Sequence, residues 1–150
     1  MGVAFDGFER RSVVPARGFL LTRVCYSCRL PPTMRLTGRV VKGQGFASIA
    51  FNLPTANLEF DDVITLEAGT YAAYTYVGPV RYTSVVYVGP QGSEKFETHL
   101  FDFKDEVYGQ ELEVEILTQV SGHVDWESEE QMKAKVANDV KLAQDYFSSL

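Results

Sequence analysis

Two runs, Gly69–Val77 (Gly-Thr-Tyr-Ala-Ala-Tyr-Thr-Tyr-Val) and Val80–Val88 (Val-Arg-Tyr-Thr-Ser-Val-Val-Tyr-Val), are separated only by Gly78-Pro79. Both are rich in aromatic and β-branched residues, which suit a pleated, half-buried surface. A Gly-Pro break between two such runs predicts a β-hairpin. Gly89-Pro90-Gln91-Gly92 punctuates its far end. Further strand patterns flank it. Arg35–Lys42 alternates loosely and stops at Gly43. Phe96–Phe103 sets Phe96, Thr98, Leu100 and Asp102 on one face and Glu97, His99, Phe101 and Phe103 on the other. Glu111–Leu117 turns Leu112, Val114 and Ile116 inward and Glu111, Glu113 and Glu115 outward. Strands at this spacing, with Gly/Pro turns between them, predict a mainly β sandwich or small barrel. The connections are too short for the crossover helices of a parallel sheet.

The period changes near the end of the chain. Ser128-Glu-Glu-Gln131 is a capping-box pattern. Met132, Val136, Val140, Ala143 and Phe147 then recur every three or four residues, as the apolar stripe of one amphipathic helix. Glu129 and Glu130 occupy its first turn, where the helix dipole favours them. The stripe reads as packing surface against the barrel.

Composition sets the bounds. With 150 residues the chain can enclose one real core. No apolar run approaches the roughly 20 residues that span a bilayer, so no membrane partner is expected. A net charge of −6 argues against nucleic acid as a partner. The charge is uneven: twelve acids lie between Glu94 and Glu130, against Lys95 and Lys104, while the stretch before Gly43 is basic. Cys25 and Cys28 form a lone CxxC without a second pair, too little for a zinc site or a disulfide framework. The rest of the chain has no cysteine, as a reducing cytosol allows; a cytoplasmic location and a monomer are expected. Residues 1–33 carry five Arg and no Lys and end in Pro31-Pro32 before Met34. They are expected to be a weakly ordered extension or a non-native start, with the folded domain at 34–150. An Arg-rich transit peptide fits the composition but not a clean amphipathic period.

Asn52-Leu-Pro-Thr-Ala-Asn-Leu58 carries the densest chemistry. Pro54 disfavours a helix here. On an extended backbone Thr55 and Asn57 then share one face. Two neutral oxygens beside the Gly43-Gln44-Gly45 turn would seat a hard cation carrying phosphates. Equally, Thr55 and Asn57 would cap backbone groups in a turn. The Gly turn matches neither common phosphate motif: Gln44 stands where a P-loop needs Lys. Glu97 sits mid-strand among apolar neighbours, where desolvation would raise its pKa and suit a general base; the other reading is an exposed Glu paired across strands. His99 suits a structural hydrogen bond, because His123 lies too far along the chain to build a metal cluster or triad with it. Tyr108-Gly109 reads as a turn with a packed ring, and Asp102 and Asp105 as turn caps.

Together these segments resemble the riboflavin kinase family. The resemblance runs from Gly38 to about Phe147. It is carried by Gly38-Arg-Val-Val-Lys-Gly43-x-Gly45, Leu53-Pro-Thr-Ala-Asn-Leu58, Gly69-Thr-Tyr-Ala72, Glu97-Thr-His-Leu-Phe-Asp-Phe103, Tyr108-Gly109, and Trp126-Glu-Ser before a helix with Asp139. It implies a six-stranded antiparallel Greek-key β-barrel with a C-terminal α-helix. It implies phosphorylation of the riboflavin 5′-hydroxyl by ATP to give FMN and ADP. By position it assigns Thr55 and Asn57 to Mg²⁺ (or another divalent cation) and the nucleotide phosphates. It assigns Gly43 and Gly45 to phosphate through backbone N–H groups, and Glu97 to the base. The expected partners are riboflavin/FMN and ATP/ADP. The sequence departs from the family's pattern at Phe46-Ala47 in the flap, at Asn52, in the short Pro90-Gln-Gly-Ser stretch, and at Ser121, near which an Arg is usual. A relative that binds flavin or nucleotide with weakened turnover is the alternative. There is no room for the adenylyltransferase domain of bifunctional relatives, so FAD synthesis is not expected.

Overall fold

The computed structural model describes residues 33–43 and 53–150. Six strands and one helix follow in order: β1 (Met34–Val41), β2 (Ala56–Glu59), β3 (Gly69–Val77), β4 (Val80–Val88), β5 (Phe96–Leu100), β6 (Glu111–Gly122) and α1 (Glu129–Ser148). All pairings are antiparallel, and the strands close into a barrel in the order β1-β2-β5-β4-β3-β6. Strands β3, β4 and β5 follow one another as a meander, and β6 returns to lie beside β3. That is the Greek-key path. The expected hairpin forms with the expected ends: Val77 pairs with Val80 and Gly69 with Val88. Gly78 turns at a φ of 57°, which a residue lacking Cβ adopts without strain.

The alternation in sequence becomes the wall of the barrel. Leu112, Val114 and Ile116 point inward, as their spacing predicts, and meet Val40, Leu58, Tyr71, Val86 and Phe96. At the centre three hydroxyl side chains are enclosed. Thr75 Oγ1 lies 2.8 Å from Ser84 Oγ and 3.2 Å from Thr98 Oγ1, and Ser84 Oγ lies 3.0 Å from the Ala73 carbonyl oxygen. Each buried hydroxyl thus has a partner, which the low dielectric of a core requires.

Outside the barrel α1 covers one flank. Ala143 packs on Ala72 and Val85, with Val140, Tyr146 and Phe147 around them. Its start is capped as the sequence predicts: Ser128 Oγ accepts from the Gln131 N–H at 3.2 Å. The return bond reaches one residue further back than a standard box, because Gln131 Oε1 accepts from the N–H of Glu127.

Three expectations need correction. β5 ends at Leu100, not Phe103, because the chain turns at Asp102 with φ 60°. β6 continues past Leu117 to Gly122. Tyr108 is 60 % exposed; the side chain packed in that turn is Val107, while Gly109 does turn, at φ 73°. The extension expected at residues 1–33 lies, apart from Thr33, outside the described residues. Because Leu112 is completely enclosed, Leu112→Ala is expected to cost about 2–5 kcal/mol of stability. A lower urea midpoint at unchanged slope would record it.

Candidate functional site

β2 presents Ala56 and Leu58 to the core, so period two turns Thr55 and Asn57 outward together. They enter a cavity of about 690 Å³ enclosed by β2, β5, β4, the β6–α1 connection and α1. Among the described residues neither side chain makes a hydrogen bond; residues 44–52 lie outside them.

Register completes the arrangement. Asn57 pairs with Val41 on one side and with Glu97 on the other, and Glu97 pairs in turn with Tyr87. Asn57, Glu97 and Tyr87 therefore form one row across three strands, facing the cavity. Residues paired this way in neighbouring strands have Cβ atoms about 5 Å apart. Burial pushes the Glu97 carboxyl above the usual carboxylate range, against a smaller opposing pull from Lys95. The expected apolar neighbours are not its flanking pair; Asn57 and Tyr87 are. Burial, and then the negative charge of Glu97 and Asp125, push the Tyr87 phenol upward as well.

Gly43 stands over the same row. A Cβ there would fall 1.8 Å from Asn57 Nδ2 and 2.3 Å from its Cγ. A residue without Cβ lets the backbone cross the Asn57 amide this closely. Gly45, the other expected phosphate contact, lies outside the described residues, as do Phe46-Ala47 and Asn52. His99 plays the structural part expected of it. Its Nδ1 donates to the Pro54 carbonyl at 2.8 Å and so fixes the turn that leads into Thr55.

The chemistry of this donor set suits a divalent cation. Thr55 and Asn57 offer two neutral oxygens, and a hard ion takes its remaining oxygens readily from phosphate and water. No group of three or more His, Cys, Asp or Glu residues that could hold a metal ion occurs among the described residues. The protein would thus contribute part of a coordination shell rather than a cage.

The far wall holds Tyr87, Asp125 and Lys135, which the sequence did not single out, together with Asp139, named there only through the family resemblance. Tyr87 Oη lies 3.3 Å from His123 Nδ1, and His123 Nε2 lies 3.1 Å from Asp125 Oδ1. On α1, Asp139 is buried and its Oδ2 accepts from Thr70 Oγ1 at 2.7 Å and from the Lys135 ammonium. Lys135 Nζ also donates to Ser121 Oγ at 2.6 Å. Ser121, the position lacking the expected Arg, therefore does have a cation beside it, delivered from the helix. The helical period itself held the signal. Lys135 and Asp139 lie one turn apart, each next to a residue of the apolar stripe.

The comparisons with known proteins agree with this picture. A family model described as Flavokinase: Riboflavin kinase matches residues 30–147. A bifunctional riboflavin kinase/FMN adenylyltransferase of Haemophilus influenzae is 28% identical over 122 residues, covering 77% of this chain and 39% of that protein. The chain thus spans about two fifths of that curated relative. Two solved structures share the fold. A riboflavin kinase from Trypanosoma brucei superposes with a TM-score of 0.54 at 16% identity, covering 76% of this chain and 79% of that one. A structure from Streptococcus pneumoniae titled as a macrolide-efflux protein gives 0.67 at 23% identity, covering 75% of this chain and 38% of that one.

The raised Glu97 carboxyl has a consequence for stability. A carboxyl that is harder to ionise in the folded state favours folding below its unfolded pKa, and that contribution is lost as pH rises through the folded value. Glu97→Gln does not ionise. Its stability relative to the parent protein is therefore expected to rise between mildly acidic and neutral pH. Urea unfolding at a series of pH values checks this; a flat difference would mean that Glu97 is not desolvated.

Proposed function

This chain belongs to the riboflavin kinase family, and we propose on that footing that it transfers the γ-phosphoryl group of ATP to the riboflavin 5′-hydroxyl. The single observation that carries the reading is the pairing of Asn57 with Glu97. It sets a neutral oxygen ligand for the phosphate side directly beside a desolvated carboxylate for the hydroxyl side. Phosphoryl transfer needs mainly positioning, charge neutralisation and an oriented base.

The roles follow from the row. Glu97 accepts the proton of the 5′-hydroxyl as that oxygen attacks the γ-phosphorus. The bond from γ-phosphorus to the bridging oxygen breaks, and ADP leaves with its electron pair. Thr55 and Asn57 would hold the divalent cation, Mg²⁺ on this reading, which when bound neutralises phosphate charge. Gly43, with Gly45 beyond it, brings backbone N–H groups to the phosphates. His99 keeps the Thr55 turn in place through Pro54.

Partners and setting extend the same reading. Riboflavin and ATP enter, FMN and ADP leave, and nucleic acid is no partner for a chain of net charge −6. No helix among the described residues is long and apolar enough to cross a membrane, and the reading places the protein in the cytosol. Among the described residues the strands close into a barrel with no open edge, and the reading takes the protein as a monomer.

Incubated with riboflavin and Mg-ATP, the purified protein is expected to yield FMN and ADP in equal amounts, resolved by chromatography. Flavin binding with no FMN would replace the kinase by the alternative, a flavin-binding relative without turnover. Glu97→Gln is expected to keep riboflavin binding while kcat falls about 10²–10⁴-fold, the usual worth of a general base. In the parent protein the acid limb of the kcat/KM profile is expected above the usual carboxylate range; an unchanged limb in the variant would remove Glu97 from the role.

A further inference from the structure

The chain from Tyr87 through His123 to Asp125 takes no part in the transfer just described. Its geometry fixes the direction of each of its hydrogen bonds. Asp125 is exposed, and an ionised carboxylate only accepts. The proton between it and His123, 3.1 Å apart, therefore sits on Nε2. A neutral imidazole carries one ring proton, so its Nδ1 then presents a lone pair. Tyr87 Oη, 3.3 Å from that Nδ1, must be the donor. Packing keeps the imidazole in place. The rings of Tyr87 and His123 lie tilted against each other, centroids 6.3 Å apart, and His123 meets Trp126 in a T-shaped contact at 6.2 Å.

Glu97 is the neighbour of Tyr87 in the row, on the same face of the sheet. Paired Cβ atoms lie about 5 Å apart, within reach of a long side chain such as tyrosine. The negative charge of Glu97 already acts on the Tyr87 phenol. A hydroxyl left free here would find the carboxylate, because hydrogen bonds to an ionised acceptor are the strong ones. A carboxylate occupied in this way offers less to the hydroxyl of a substrate. We propose that His123 is a positioning residue for the transfer: it accepts the hydrogen bond of the Tyr87 hydroxyl, turns that donor away from Glu97, and leaves the base open to the riboflavin 5′-hydroxyl. Asp125 acts one step further out, by selecting the tautomer that can accept. The proposal rests on the kinase reading above.

Tautomers test the arrangement without turnover. The chain has two histidines. His99 Nδ1 faces the Pro54 carbonyl, which only accepts, so the His99 proton sits on Nδ1. His123 is expected in the opposite form, protonated on Nε2 alone, at mildly alkaline pH, where an ordinary imidazole is neutral. Long-range proton–nitrogen correlation spectra of the two imidazole rings separate these forms. His123→Phe keeps a ring against Trp126 and removes the acceptor. Its kcat at saturating riboflavin and Mg-ATP is expected to fall about tenfold, the size of one hydrogen bond to a charged group, with the KM for ATP unchanged. Adding Tyr87→Phe, which removes the freed hydroxyl, is expected to restore most of the lost kcat. A merely structural link would be broken just as fully in the double variant, and its kcat would stay low. His123 in any other protonation form, an unchanged kcat in folded His123→Phe, or a double variant no faster than the single one overturns the proposal while the kinase reading stands. A parent protein that makes no FMN overturns both.

Discussion

A short ladder between β2 and β5 closes the barrel, and its two registered pairs hold the interior and the site together. Ala56 meets Thr98 on the inside. Asn57 meets Glu97 on the outside. A slip of one residue would exchange the faces, turning Glu97 into the core and Thr98 into the cavity. The ladder is short, so its register depends on what lies to either side. On the interior, Thr98 belongs to the hydroxyl cluster with Thr75 and Ser84. Those groups are satisfied only in this register, and an unmet buried hydroxyl is penalised far more than a met one is rewarded. The polar centre of the barrel thus specifies the alignment from which the site is built.

The same economy extends outward from β4. Tyr87 stands between Glu97 on β5 and Thr70 on β3. It connects the Asn57–Glu97 row to the wall that carries α1. Its hydroxyl reaches His123 on the connection leading to the helix. Asp139 and Lys135 then tie that helix back to β3 and to β6, at Thr70 and Ser121. The cavity is therefore framed by two polar connections, β2–β5 on one flank and α1–β3–β6 on the other, with apolar surface between them. Rigid elements supply both, which is what precise placement of a ligand demands.

The barrel was legible because its strands are half-buried. Alternation at Leu112, Val114 and Ile116 fixes which side faces inward, and no tertiary information is needed to see it. The hairpin was equally plain, its runs and its Gly-Pro break agreeing on one answer. The end of β5 was not, since Phe101 and Phe103 continue a strand pattern through a backbone turn at Asp102. Thr55, Asn57 and Glu97 could be picked out by residue type and spacing, whereas the fact that two of them are direct neighbours is a property of register. Lys135, and the burial of Asp139, were not legible, for a different reason. Charges beside an apolar helical stripe usually face water. Their burial depends on Thr70 and Ser121, which are 69 and 14 residues distant from the partners they meet.

Charge gives the cavity its direction. Glu59, Glu94, Glu97, Asp125 and Asp139 line it against Lys42, Lys95 and Lys135. Of the three lysines, Lys135 is already committed to Asp139. A bare polyphosphate would meet repulsion here, while one neutralised by a divalent cation would not. On the proposed reading this explains why the phosphate end needs no cluster of basic side chains. Thr55 and Asn57, being neutral, avoid adding charge beside Glu97. An Asp in place of Asn57 would bind a cation more strongly. It would also set a second carboxylate directly opposite Glu97, where like charge would hold one of the pair protonated. On the proposed reading, the neutral amide lets metal seat and base occupy adjacent positions in one ladder without a second carboxylate between them.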